Sequence, residues 1–409
     1  MKLIKVKTLD TAREIMIDSF KDLELETEIV NIDLCTNRFL ASDVESRIDV
    51  PHFDRSVVDG YAVNTSDIQG ASESIPAILK LAGQAEMGEE NEAVLGENEC
   101  MYVPTGGMMP EGADAMVMIE YTEKFSSEEI LIYKNASTFQ HILKAGDDIK
   151  KNEEVFTKGK KLYPQDIGAL ASIGELKAKV FKKPRISILS TGDEIVSPET
   201  EPEKGSIRDI NSYSLASKIT SWGGEVVERR VLRDDYDLIK ESIIKALEIS
   251  DAVFVSGGSS VGEKDYTLPI LEEIEGAEIL INGLNVKPGK PTIIAKVKGK
   301  PIIGLPGQPA SAYLVLMQML DIIYEIYYKN KPIKEYIIAK LDQNIASAPG
   351  RKTLQMVSLK RKGENFTAEV LRGKSGMISL ISKSYGYVVI GENSEGKEKG
   401  ETVKVFPLV

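Results

Sequence analysis

The sequence predicts a multi-domain α/β protein: a small β-rich module, a central three-layer α/β domain after it, and a compact all-β C-terminal domain. Three observations carry this. From Lys183 to about residue 328, buried-type strands alternate with amphipathic helices, which implies crossover connections and a mostly parallel sheet. From about 45 to 140 the helical period disappears, and short apolar runs lie between Gly- and Pro-containing turns. After about Asn330 the chain is strand-like again. At 409 residues it is also too long for one ordinary core, so two to four domains are expected.

Taken in order, "TLDTAREIMIDSF" (8–20) reads as an amphipathic helix, with Thr11 and Glu14 as a capping box and Ala12, Ile15, Met16 and Phe20 on one face. "AILKLAG", "CMYVP" and "AMVMIEY" are the short strands of the β-rich module. "GKKLYPQDIGALASIGE" (159–175) returns to helix, with Pro164 in its first turn and Gly174 near its end. In the α/β segment "RISILSTG", "EVVERRVL", "DAVFVSGG", "PTIIAKV" and "PIIGLPG" are strands. "NSYSLASKITSWGG" is a helix with Asn211 as cap and Gly223-Gly224 as stop, "YDLIKESIIKALEI" a second, and "PASAYLVLMQMLDIIYEIYY" the last. "TLQMVSLKR", "TAEVLRG", "YVVIGE" and "ETVKVFPL" are the strands of a compact all-β C-terminal domain.

Composition narrows the function. With 63 Asp+Glu against 51 Lys+Arg the net charge is −12, which argues against a general nucleic-acid binder. No run approaches the ~20 apolar residues of a membrane span, and the lysines of "MKLIKVKTLD" break any signal-peptide core. Cys35 and Cys100 are far apart without a C-x-x-C partner, and the chain has only His52 and His141, so disulfide, zinc and histidine chemistry have little to work with. The expectation is a cytoplasmic protein whose chemistry rests on carboxylates, lysines and backbone.

In open α/β sheets ligands bind beyond the carboxyl ends of the strands. Each unusual polar cluster falls at such an end: "STGDE" (190–194), "RDD" (233–235), "SGGSSVGEKD" (256–265) and "LPGQPAS" (305–311). Gly257-Gly258 lets backbone approach a ligand, and a helix opening after "PGQP" presents N–H groups to an anion. Asp193, Glu194, Asp234, Asp235 and Asp265 are carboxylates able to hold Mg²⁺ beside ligand phosphate. "VKPGKPTIIAKVKGKPIIGLPGQPAS" (286–311) carries five lysines and no carboxylate, and Lys287 and Lys290 flank a stiff Pro-Gly turn where they can converge on one anion. Any one turn glycine or surface acid is more often structural or merely solvated; four clusters at one sheet edge are harder to dismiss.

These residues resemble a known family. "FDRSVVDGYAV" (53–63), "VPTGGMMPEGADAMVMIE" (103–120), "AGDDI" (145–149), "STGDEI" (190–195), "SGGSSVGEKDYT" (256–267), "VKPGKPTI" (286–293) and "GLPGQPASA" (304–312) are similar, in order, to the motifs of the molybdopterin molybdenumtransferase (MoeA) family, which includes the gephyrin E domain. The resemblance implies a discontinuous domain I (1–45 plus 140–180), an inserted β-rich domain II (46–139), an α/β domain III of the molybdenum-cofactor-biosynthesis type (181–328) and a β-barrel domain IV (329–409). It implies a homodimer that inserts molybdate into adenylylated molybdopterin with release of AMP, dependent on Mg²⁺, with tungstate as the alternative oxyanion. Because the cofactor is unstable, hand-over to a molybdopterin adenylyltransferase and to apo-molybdoenzymes is expected, without nucleic acid or membrane.

Position by position, the resemblance assigns catalytic roles to Asp59, Thr105, Asp148, Glu194, Asp234 and Asp265, with Asp59 and Thr105 acting across the dimer. It assigns ligand binding to Gly257, Gly258, Ser260, Lys287, Lys290, Pro306, Pro309 and Arg351, and metal binding to Asp265, Glu194 and Asp235. The chain differs from the family pattern at Ser259 (Val), Gln308 (Asn), Lys374 (Gly) and Ser384-Tyr385 (Ala-Asn), and carries Met356 where a second arginine is expected. The other readings are molybdopterin adenylylation, for which "SGGSSVG" stands in place of "GGTG", and a molybdopterin-binding scaffold or storage protein without turnover.

Overall fold

The computed structural model describes residues 6–257 and 266–408, and the chain divides into two compact units, residues 1–28 with 181–409, and residues 29–180. The first unit opens with α1 (Leu9–Ser19), whose Ala12 and Met16 are buried. Its cap is Thr8, not Thr11: Thr8 is extended (φ −66°, ψ 159°), and its hydroxyl accepts the Thr11 amide at 3.1 Å. Thr11 is already inside the first turn and is the donor of that bond.

In the unit of residues 29–180, six strands form one sheet: β1 (Gly60–Val63), β2 (Ala77–Gln84), β3 (Glu99–Val103), β4 (Ala115–Met118), β5 (Thr122–Lys124) and β6 (Glu129–Ile132), in the order β4-β1-β3-β2-β6-β5. Only β2 and β3 pair in parallel. Alternation along the strands sends Val63, Leu79, Cys100, Ile130 and Ile132 into one core. The helix expected near 159–175 is α2 (Pro164–Ser172), with Pro164 in its first turn and the Asp166 carboxylate accepting the Tyr163 amide at 2.8 Å.

The α/β part of the first unit is a six-stranded sheet. Its strands are β7 (Arg185–Thr191), β8 (Glu225–Leu232), β9 (Ala252–Ser256), β10 (Ala277–Asn282), β12 (Ile293–Val297) and β13 (Lys300–Leu305); β11 (Val286–Lys287) leaves the sheet between them. The order is β8-β7-β9-β13-β12-β10, and β8, β7, β9 and β13 are parallel. Of the six, β12 is the reversed strand, antiparallel to both β13 and β10, because Lys298 (φ 49°) and Gly299 (φ 80°) make a two-residue reverse turn between β12 and β13. The sheet is flanked by α3 (Asn211–Trp222), α4 (Tyr236–Ile249), α5 (Thr267–Glu273) and α6 (Pro309–Tyr328). The chain steps one way from β7 to β8 and the other way from β8 to β9, so right-handed crossovers put α3 and α4 on opposite faces. Ile239, Ile243 and Ile270 of α4 and α5 bury Leu189, Val253 and Val255.

Asn211 is the first residue of α3 rather than its cap. Asp209 does the capping, its carboxylate accepting the Ser212 amide at 3.0 Å. Gly223 stops the helix as expected, in the left-handed region at φ 112°.

The barrel closes through β14 (Ile337–Leu341), β15 (Lys352–Lys362), β16 (Asn365–Val370), β17 (Gly386–Ile390) and β18 (Thr402–Pro407), paired in the cycle β15-β16-β14-β18-β17-β15, with α7 (Ile378–Ser382) outside it. Leu341, Val357, Ala368, Val388 and Val405 fill its interior. Its outer face packs on α6: Leu354, Met356 and Tyr387 bury Ala310 and Leu314. Met356 is therefore a core residue, with no route to a ligand. Among the described residues no helix is long and apolar enough to cross a membrane.

Candidate functional site

The carboxyl ends of β7, β8, β9 and β13 open onto one cleft of about 820 Å³. β7 and β9 flank the point where chain direction across the sheet reverses, so the loops leaving them diverge and leave a crevice. Glu194 reaches the cleft from the β7 loop, Asp234 from the β8 loop, Gly257 from the end of β9, and Pro306 and Pro309 from the turn into α6. Lys287 and Lys290 form a further wall, and the barrel contributes Arg351 and Ser375. Two polypeptide domains thus share one site.

The cationic wall is held stiffly. β11 leaves the α/β sheet and pairs in parallel with β15 of the barrel, Val286 opposite Lys352 and Lys287 opposite Thr353. That ladder carries Lys287 to the side of Arg351. The turn that follows is pinned from within: the buried Thr292 hydroxyl donates to the Gly289 carbonyl at 2.8 Å, and the Leu284 amide donates to the Lys290 carbonyl at 2.9 Å. Gly289 sits at φ 121°, and a Cβ there would stand 2.4 Å from Val315 Cγ2, so only glycine lets this turn lie against α6.

The start of α6 is less open than an unoccupied helix end. The Ala310 amide donates to the Ser375 carbonyl at 3.0 Å, and the Ser375 hydroxyl donates to Gln308 Oε1. Part of the anion-binding potential expected there is thus spent on a barrel loop. Behind this contact the α6–barrel interface is buried: Gln318 donates to the Tyr387 hydroxyl at 2.9 Å, and burial pushes that phenol up to about 12.

The acidic side comprises Glu194, Asp234 and the buried Asp209. The Asp234 amide donates to Asp193 Oδ1 at 3.1 Å, which binds the β7 and β8 loops together. Asp235 does not line the cleft; its carboxylate caps α4 by accepting the Leu238 amide at 2.8 Å. Gly258, Ser260 and Asp265 lie outside the described residues. Among the described residues no three His, Cys, Asp or Glu side chains gather as a metal cage. Mg²⁺ commonly takes one or two carboxylates and fills the rest of its octahedron with water and substrate phosphate, and Glu194 and Asp234 fit that demand.

In the other unit, Asp59 and Thr105 are brought together because β1 and β3 are antiparallel neighbours, with Gly60 opposite Val103; Asp59 Oδ1 accepts the Thr105 amide at 2.9 Å. Asp148 sits beside the bridge between Val50 and Ile149, its amide donating to the Val50 carbonyl at 3.1 Å.

Sequence reasoning gave no site role to Asp209, Asn211 or Ser375 and caught Thr191 and Ser311 only within the strand-end clusters, yet all five line the cleft. Asp209, two residues ahead of a helix, carried a capping signal. The Thr191 hydroxyl and Asn211 Oδ1 are buried without a hydrogen-bond partner among the described residues, a sign that the cleft floor is built for more than stability.

Comparison with known proteins agrees across the chain. Residues 7–174 match the MoeA N-terminal region (domain I and II), residues 187–325 a molybdopterin binding domain, and residues 339–408 the MoeA C-terminal region (domain IV). The chain is 32% identical to a molybdopterin biosynthesis protein of Methanocaldococcus jannaschii over 100% of both chains. It is 30% identical to the molybdopterin molybdenumtransferase of Haemophilus influenzae over 98% of each. A crystal structure of a molybdopterin biosynthesis MoeA protein from Pyrococcus horikoshii superposes with a TM-score of 0.82 at 36% identity, covering 99% of this chain and 100% of that one.

Proposed function

The chain belongs to the MoeA family, and from that premise we propose that it is a molybdopterin molybdenumtransferase that inserts molybdate into adenylylated molybdopterin and releases AMP. The observation that carries the reading is the cleft itself, with cations from two domains on one wall and carboxylates at the strand ends on the other.

Molybdate is a dianion with four acceptor oxygens. Lys287, Lys290 and Arg351 supply charge-assisted donors for it, and their turn is too well pinned to rearrange at each encounter. A field this local is little affected by the protein's negative total charge, because screening acts over ~8 Å at physiological salt. The metal's destination is the dithiolene sulfurs, so the pocket must hold the oxyanion without ligating it tightly; a cleft lined by neither Cys nor His among its described residues suits that task. Glu194 and Asp234, joined by Asp265, are the residues we assign to Mg²⁺. When bound, that ion neutralises phosphate charge and polarises the bond to AMP.

The further parts of the reading follow the family. The four domains span 1–45 with 140–180, 46–139, 181–328 and 329–409. The protein acts as a cytoplasmic homodimer in which Asp59 and Thr105 of one subunit serve the cleft of the other, with Asp148 as a further functional carboxylate. Tungstate, of the same charge and shape, is the competing oxyanion.

The test supplies adenylylated molybdopterin, Mg²⁺ and molybdate and follows AMP. Release that depends on both the metal ion and the oxyanion is expected. Binding of the pterin with no AMP would convert the reading to a storage protein, and no binding at all would end it. Sedimentation of the full chain across concentration decides the dimer.

A further inference from the structure

The floor of the cleft is bare backbone. Gly257 sits at φ 106°, and a Cβ on it would lie 2.3 Å from the Thr191 carbonyl oxygen; a Cβ on Gly307 would lie 3.7 Å from the Gly257 Cα. The end of β9 therefore lies so close to the end of β7 that Gly257 can carry no side chain, and Gly307 comes into ordinary contact with Gly257, which lets a ligand approach main chain closely. The direct backbone link between the ends of β9 and β13 is long, the Gly257 amide to the Leu305 carbonyl at 3.4 Å.

One side chain spans them. Asn211, at the start of α3, is 7% exposed; its Nδ2 donates to the Ser256 hydroxyl at 2.8 Å and to the Gly307 carbonyl at 2.8 Å. The orientation of the amide is set by chemistry: a carbonyl only accepts, so nitrogen must face Gly307. Both amide hydrogens are thus committed, one to each glycine loop. Oδ1 is left buried with no hydrogen-bond partner among the described residues, a situation that ordinarily costs about 1–3 kcal/mol. A residue kept for helix stability would not carry that cost, and Asp209 already caps α3.

We propose that Asn211 is a positioning residue: its amide sets Gly257 and Gly307 side by side so that their backbone forms the seat of the nucleotide half of the substrate, while the Lys287–Arg351 wall holds the oxyanion independently. The nucleotide assignment rests on the function proposed above; the strut itself does not.

The experiment uses the full chain with three variants, Asn211→Ala, Asn211→Asp and Ser256→Ala, checked for fold by circular dichroism. Amide exchange is measured without ligand. Asn211→Ala is expected to speed exchange about tenfold in both 254–257 and 305–308, and Ser256→Ala in 254–257 alone, each loss being that of about one hydrogen bond. Calorimetric titration then uses AMP with Mg²⁺ and, separately, molybdate. Asn211→Ala is expected to weaken AMP about tenfold and leave molybdate within about twofold. Asn211→Asp sets a carboxylate against the Gly307 carbonyl at neutral pH; once protonated it donates there, so its AMP affinity relative to wild type should recover as pH falls. Unchanged exchange in Asn211→Ala, or equal loss of AMP and molybdate in a folded variant, overturns the proposal. If Asn211→Ala does not fold, Ser256→Ala and Asn211→Asp decide by the same readouts. Wild type that binds no AMP would sink the proposed function, while the exchange limb still rules on the strut.

Discussion

Val286 and Lys352 stand opposite each other in a two-residue parallel ladder, and this one pairing brings Lys287 of the α/β domain to the wall that carries Arg351 of the barrel. The cationic wall is a joint product of two domains. Reversing charge in Lys287→Glu/Lys290→Glu is expected to weaken molybdate about a hundredfold or more and abolish AMP release. The exposed Lys287 should also give wild-type binding that falls with added salt. Titration of the double variant with molybdate checks this, and metal incorporation at the wild-type level would refute it.

Gly289 offers a subtler probe of the same wall. Its φ of 121° and the 2.4 Å approach of a Cβ to Val315 leave no room for alanine. Gly289→Ala should cost about 1–3 kcal/mol in thermal or urea unfolding. Because Lys287 and Lys290 ride on that turn, molybdate affinity should fall more than AMP affinity.

Met356 occupies the position at which an arginine was expected, and the fold explains why no arginine could serve there. It is 2% exposed and packs with Leu354 and Tyr387 against α6. Met356→Arg is expected to lower the melting temperature sharply through an unpaired buried charge rather than to strengthen anion binding. Met356→Ala should cost about 2–5 kcal/mol through the cavity it leaves. Calorimetry with and without molybdate separates the two expectations.

The cysteines make a pH prediction. Cys100 is fully buried, and desolvation pushes its thiol up to about 12; Cys35 is raised for the same reason. Neither should react with a disulfide reagent at pH 8 until the protein is unfolded. In the unfolded chain a free thiol ionises near ~8.5. The folded state then retains a proton that the unfolded state has lost, so stability contributed by Cys100 is complete below that pH. It declines by ~1.4 kcal/mol per pH unit as pH rises toward about 12. Urea unfolding from pH 8 to 10 should show the decline, and Cys100→Ala should flatten it.

Asp59 and Thr105 test the other unit. Asp59→Ala removes the acceptor of the Thr105 amide, an exposed contact whose loss should cost under about 1 kcal/mol of stability. A loss of AMP release well beyond tenfold with an unshifted melting curve would tie the pair to the chemistry; unchanged turnover would confine it to holding its loop.

Elements with strong local signals were legible in the sequence. Periodicity and turn residues located α4, α6, β7 and β8 at their observed limits, and the rule that ligands collect at strand ends drew Glu194, Asp234, Gly257 and Pro306 into one cleft. What escaped depended on tertiary context. α5 has only seven residues, and β10 (AEILIN) offers a three-residue apolar run broken by Glu278 and Asn282. The cap of α1 moved to Thr8 because two threonines three apart compete for one role, and only backbone dihedrals decide between them. Asn211 reads as a helix cap in any linear scan; its bonds to Ser256 and Gly307 span 45 and 96 residues. The junction of β11 with β15 is two residues long and joins separate domains, so no propensity could foretell it.

The carbonyl of Ser375 that receives the Ala310 amide lies 65 residues further along the chain than the helix it caps. On a ribosome, α6 is made first and its opening turn must wait for the barrel. Arg351 and the strand that positions Lys287 emerge in that same interval. The nascent α/β domain therefore lacks part of its cationic wall, which is complete only once the barrel has been made.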